Sequence, residues 1–348
     1  MLRPTPLSSL ALLILWSAAG AAPASAQVPA PQVPGNLPAP GPVPILAPGD
    51  RYEGVYTPDG QSNGAQDFVL WLPESPVPAE GYPLVIYVPG GGWREPSPLP
   101  EEPTGLNRRL RRRGYAVAQV RYSHIELPFT LAARFPQVER DVQTVVQHVR
   151  FHAQTYRIDP DRVLLSGRSA GAHAVQAAAM WPDAAEPSAS DQRRESSRPL
   201  AVLVASVAAT HVPSLRQNVN SPIATYLAGV PKLAFVAKSK QLEASPTEWV
   251  GLDPSGTRSV PFLIVGGPRP VEDPLGMPFV ANALDHDHDP WNAYTLWFAL
   301  RGLGGVHAVH SVFLDYSQIE LDYDELFAIE AAWVEYVVTL EGAGLIGR

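Results

Sequence analysis

The chain has 348 residues, a formal net charge of −8 at pH 7 and no cysteine. An acidic chain poor in lysine lacks the concentrated positive surface that phosphate binding needs, which argues against nucleic acid as a partner. Without cysteine there are neither disulfides nor a lipid-modified cysteine, so stability must come from a core that a chain of this length can build.

Residues 1–26 have the layout of a secretory signal: Arg3, an apolar run from Leu10 to Trp16, and Ala24-Ser25-Ala26 ahead of Gln27. That run is too short for a permanent span. The mature chain is therefore expected to be secreted or periplasmic, with no stable membrane span. Prolines recur from Gln27 to Pro48, which predicts an extended linker over residues 27–48. A single domain over 49–348 should follow.

Within it, Asp67–Pro73 alternates and ends at proline, as an edge-type antiparallel strand would. Pro83–Val88 reads as a buried strand entering Pro89-Gly90-Gly91-Gly92-Trp93. A helix over Gly105–Arg113, closed by Gly114, carries a basic cluster whose simplest reading is a solvated face. Tyr115–Tyr122 is the next strand. Valines 138, 142, 145, 146 and 149 recur at helical spacing, predicting a helix over Phe135–Tyr156 that Ile158-Asp159-Pro160-Asp161 ends.

Val163–Ser166 is a short strand that runs into Gly167-Arg168-Ser169-Ala170-Gly171 and then an alanine-rich helical pattern. A serine hydroxyl becomes a useful nucleophile when a tight strand-to-helix turn exposes it to a base and to backbone N–H groups. Ala184–Arg198 reads as a surface loop. Leu200–Val207, Pro261–Val265 and His307–Leu314 read as strands, and Glu325–Leu340 as a closing helix. Residues 208–250 lack periodicity and are expected to form a partial cover.

Alternation of strand and helix predicts an α/β architecture, a mostly parallel central sheet with helices on both faces. Ligand sites then lie at the carboxyl ends of the strands, where the Gly90–Gly92 loop and Ser169 both fall.

These landmarks, with Arg121-Tyr122-Ser123, Ile158–Val163 and Ala244-Ser245-Pro246, resemble in order a secreted esterase of the α/β-hydrolase fold, in the carboxylesterase and feruloyl-esterase-like branch with an H-G-G-G-W loop. The resemblance implies a serine hydrolase cleaving carboxylic esters of small molecules, without cofactor or metal. Ser169 would be the nucleophile, and the N–H groups of Gly90, Gly91 and Ala170 the oxyanion hole. His173 matches a histidine of the elbow helix, with a packing and hydrogen-bonding role beneath the turn.

Three positions depart from the family. Pro89 stands where the loop's leading histidine should be. The turn after the Pro261 strand lacks its aspartate, so the acid is Asp285, on a loop inserted around residues 268–290, or else Asp273. Gln318 occupies the place of the catalytic histidine, and glutamine cannot take a proton from serine. Candidates for a relocated base are His286 and His288, beside Asp285, ahead of His124 and His211. The alternating Asp285–Asp289 segment could also ligate a divalent cation, although no second cluster completes a set. His307 and His310 are not placed to act. The alternative function is a catalytically impaired hydrolase homologue that binds rather than cleaves. Oligomeric state is left open.

Overall fold

The computed structural model describes residues 45–60, 65–91, 97–123, 137–205, 260–266, 296, 300, 312–315, 323–343 and 346. Its eight strands are β1 (Arg51–Val55), β2 (Asp67–Trp71), β3 (Tyr82–Val88), β4 (Ala116–Val120), β5 (Ile158–Arg168), β6 (Val202–Ala205), β7 (Phe262–Gly266) and β8 (Val312–Asp315). They form one sheet in the order β1-β2-β4-β3-β5-β6-β7-β8. All neighbours from β4 onward pair in parallel, while β2 is antiparallel to both β1 and β4. Seven strands thus run one way and β2 the other, the mostly parallel sheet that the sequence led us to expect.

The central strands explain themselves. Each side chain of β3 is apolar or aromatic, as a strand covered on both faces requires, and β4 is buried throughout. Helices α2 (Gln137–Phe151) and α4 (Ala170–Met180) cover one face, where Val142, Val146, Ala174 and Ala178 meet Ile86, Leu165 and Val204. Helices α1 (Gly105–Arg112) and α5 (Tyr323–Gly342) cover the other, where Leu110, Val334 and Val337 meet Val85, Leu164 and Leu203. Small side chains let α4 lie close to the sheet, and all eleven of its residues are buried.

Several expectations are corrected. The Asp67 strand lies inside the sheet, because β1 pairs along its full length, and Pro73 falls after the pairing ends. β5 begins at Ile158, ahead of Val163; Pro160 interrupts its register with β3 without ending it. The helix after Gln137 ends at Phe151, and a separate turn α3 (Ala153–Tyr156) closes at Arg157 in the left-handed region, φ +57°. The basic cluster is partly pinned: Arg111 donates to the carbonyls of Leu72 (2.9 Å) and Gly49 (3.3 Å), and Arg113 pairs with Glu335 (3.1 Å).

The 184–198 segment is more than a surface loop. Gln147 of α2 donates to the carbonyls of Ala184, Arg193 and Glu195, and the 3₁₀ turn Gln192–Arg194 inserts Gln192 into the core. Gln192 donates through Nε2 to the Tyr56 carbonyl, which leaves Oε1 to accept from His148 Nδ1 at 2.8 Å. His148 Nε2 then accepts from the Tyr156 hydroxyl at 2.9 Å, so its tautomer is fixed. Burial holds this imidazole neutral and lowers its pKa to about 4. Residues 1–44, 206–259 and 267–290 lie outside the described residues, and with them the expected signal segment, most of the linker, the cover and the inserted loop.

Candidate active site

At the carboxyl end of β5 the chain turns sharply into α4 at Ser169, whose backbone sits at φ +52° and ψ −123°. The two flanking glycines are a geometric necessity. A Cβ on Gly167 would lie 2.5 Å from the Gly171 carbonyl oxygen, and one on Gly171 would lie 2.0 Å from that of Val88. Ser169 N–H donates to the Ala205 carbonyl (3.1 Å) and its own carbonyl accepts from His173 N–H (3.1 Å). The half-buried side chain is thereby lifted off the sheet's edge at the start of α4.

The glycine loop after β3 comes to the same place. A Cβ on Gly90 would lie 3.0 Å from Ser169 Cβ and 3.7 Å from its Oγ, and Gly91 takes φ +136°. The loop is held through its carbonyls: Tyr122 donates its hydroxyl to Pro89 at 3.0 Å, and Ser97 donates to Gly90 at 3.2 Å. Tyr122 thus supplies a brace that the missing loop histidine does not. Burial, aided by Tyr87 and Glu139, raises the Tyr122 phenol well above its ordinary value, so the group stays a neutral donor.

Beneath the elbow, His173 is fully buried and its Nδ1 lies 3.4 Å from Glu139 Oε1 on α2. This is the packing position expected of His173. Two residues on, Asp141 accepts from Ser123 N–H (2.7 Å), Gln66 (3.0 Å) and Gln137 (2.8 Å), fixing the chain as it leaves β4. Sequence reasoning missed Tyr122, Glu139 and Asp141 as supports. The signal was present: Glu139 stands three and seven residues before Val142 and Val146, so a carboxylate lies on the apolar stripe.

Of the residues expected to act, the structure brings Ser169, Ala170, Gly90 and Gly91 to one point. Asp285, His286 and His288 lie outside the described residues, as do Asp273, His124, His211, Gln318, His307 and His310. Among the described residues no three His, Cys, Asp or Glu side chains converge as a metal site would require. What remains is a serine in a strained backbone conformation at the strand-to-helix turn, with the Gly90 loop close beside it.

Known proteins share this frame. A truncated carbohydrate esterase from gut microbiota superposes with a TM-score of 0.57 at 16% identity, over 87% of this chain and 100% of that one. An acetyl ester-xyloside bifunctional hydrolase from Caldicellulosiruptor lactoaceticus superposes with a TM-score of 0.57 at 18% identity, over 88% and 100%. At these identities the likeness is one of fold. In sequence, the chain is 29% identical over 129 residues to Esterase LipQ of Mycobacterium tuberculosis, covering 36% of this chain and 28% of that relative's length. The BD-FAE family model matches residues 70–272, more than half of the chain, from β2 through β7 and with the glycine loop and the elbow inside it: the chain belongs to the BD-FAE family.

Proposed function

We propose that the protein is an exported serine hydrolase that cleaves carboxylic esters through an acyl-enzyme on Ser169. The observation that carries this reading is the juxtaposition of Ser169 Oγ with the Gly90 loop at a positive-φ elbow. Ser169 Oγ attacks the ester carbonyl carbon while an imidazole takes its proton. The N–H groups of Gly90, Gly91 and Ala170 receive the oxyanion, typically worth a few kcal/mol per donor. The alcohol leaves with the proton from the imidazolium, and a water deprotonated by the same base attacks the acyl carbonyl, releasing the acid and restoring Ser169. We assign the base to His286 or His288 and its orienting acid to Asp285, on the inserted loop. That the relatives named above are esterases in name supports the reaction class.

Purified protein should hydrolyse short p-nitrophenyl acyl esters, and Ser169→Ala should lower the rate by about 10³-fold or more. No turnover by the wild type, or turnover unaffected by Ser169→Ala, would overturn the assignment; the first result would instead favour a binding protein. His286→Ala and His288→Ala separate the two candidate bases, and unchanged rates in both exclude the inserted loop. Export predicts a mature N-terminus near Gln27 in the periplasm or medium, read by mass spectrometry of the natively expressed chain.

A further inference from the structure

Behind the elbow, on the face covered by α1 and α5, lies a polar chamber in which no step of the proposed reaction takes place. Arg168 immediately precedes Ser169, and alternation along β5 sends its side chain toward the same face as Leu164 and Ser166. Its guanidinium lies 5.6 Å from the ring centre of Phe327, and its Nη2 lies 3.7 Å from Glu330 Oε1 on α5. The Glu330 side chain is fully buried, and neither of its oxygens accepts a hydrogen bond from the described residues. Glu330, Arg168, Tyr87, Asn107, Ser166 and Phe327 border a cavity of about 90 Å³. The Asn107 amide oxygen is likewise buried without a hydrogen-bond partner among the described residues.

A buried carboxylate at ion-pair distance from one guanidinium is held by little besides that charge, and the guanidinium is one residue from a strained serine. We propose that Glu330 is a positioning residue for Ser169: its ionised carboxylate draws Arg168 against α5 and thereby sets the backbone of the elbow that the next residue forms. The proposal rests on Ser169 being the nucleophile.

The chamber is poised to respond to pH. Burial raises the Glu330 pKa from 4.5 to about 7, against the opposing pull of Arg168. The other groups facing it are Tyr87 of β3, a phenol also raised by burial, and the neutral Asn107 of α1 and Leu203 of β6. On α5 itself, Glu335 is engaged by Arg113. Protonation of Glu330 leaves Arg168 without its counter-charge and frees the elbow to relax.

The test follows the backbone amide resonances of Ser169 and Ala170 in the full chain across pH 5.5–8.5, alongside the rate at which a fluorophosphonate labels Ser169. In the wild type both amides should shift with a midpoint of about 7, and Glu330→Gln should abolish that transition. The variant should label about tenfold more slowly at pH 8, with the difference shrinking toward about onefold at pH 5.5, because glutamine mimics the protonated acid. A purely structural role would give a ratio independent of pH. Arg168→Gln offers a second arm: without the guanidinium the carboxylate has no hold on the elbow, so the amide transition should be abolished there too, and one that persists with a shifted midpoint overturns the proposal. Amides that do not titrate, or that titrate identically in Glu330→Gln, overturn the proposal. Amides that titrate as expected in a wild type that is neither labelled nor active sink the nucleophile assignment and leave the Glu330 control of the elbow standing.

Discussion

Ser169 occupies a backbone conformation that costs a residue other than glycine of order 1–3 kcal/mol, held by the pairing of β5 with β6 and by the two glycines around it. Relieving it should stabilise the fold. Ser169→Gly is expected to raise unfolding free energy by about 1 kcal/mol in urea titration, after allowing for glycine's greater freedom in the unfolded chain; a loss of stability would show that the turn is unstrained. The neighbouring glycines differ in what a methyl group would meet. On Gly171 and Gly167 it would strike main chain at 2.0 and 2.5 Å, so Gly171→Ala should cost more than about 3 kcal/mol or prevent folding. On Gly90 it would meet the Ser169 side chain at 3.0 Å. Gly90→Ala should therefore fold normally yet lower kcat/KM by about tenfold, through displacement of the loop from the reacting atoms.

Among the elements, the glycine loop owes its position to β4 as much as to β3. Tyr122, two residues past the end of β4, holds the Pro89 carbonyl. Removing that hydroxyl by Tyr122→Phe should cost about 1 kcal/mol of stability. Esterase activity should fall several-fold, while an unchanged kcat/KM would mean that the loop keeps its place without the brace. Asp141 anchors the same corner from α2, so helix, strand end and loop act as one support under the site. A second latch joins α2, α3, the 3₁₀ turn and the Tyr56 backbone through His148. Its imidazole is most favourable when neutral. Since its folded pKa lies below the unfolded 6.5, its contribution is present above pH 6.5 and lost as pH falls toward about 4, roughly 3 kcal/mol in all. Melting curves of wild type and His148→Gln should therefore converge across that window; parallel curves would show that His148 does not titrate on unfolding.

For the molecule as a whole, Glu330 pulls the other way. With its folded pKa raised, its contribution is present below the unfolded value of 4.5 and lost as pH rises through about 7. Glu330→Gln should thus flatten the loss of stability on the neutral side, and His148→Gln that on the acid side. His148 lies on a helix that the sequence announces by period, with valines at helical spacing, and β3 is announced by its apolar run. The elbow was legible for the same reason, because its glycine spacing is local and its strand and helix adjoin it. The edge strand β1 was not, since Arg51–Val55 alternates only weakly and exposes its charged residues. Nor was the role of Gln192, a polar side chain whose meaning depends on meeting a histidine 44 residues away. The supports under the elbow were hidden likewise: Glu139 and Glu330 pair across the fold rather than along it. The position of the proposed base relative to Ser169 is a still longer-range property, which motif spacing does not carry.

The central claim, that Ser169 is the nucleophile, is tested most directly by mass spectrometry of the protein after treatment with a fluorophosphonate. The account predicts a single phosphonyl adduct, mapped to the peptide containing Ser169, that forms in parallel with loss of ester turnover. Turnover that persists without an adduct, or an adduct on any other residue accompanying inactivation, would contradict it.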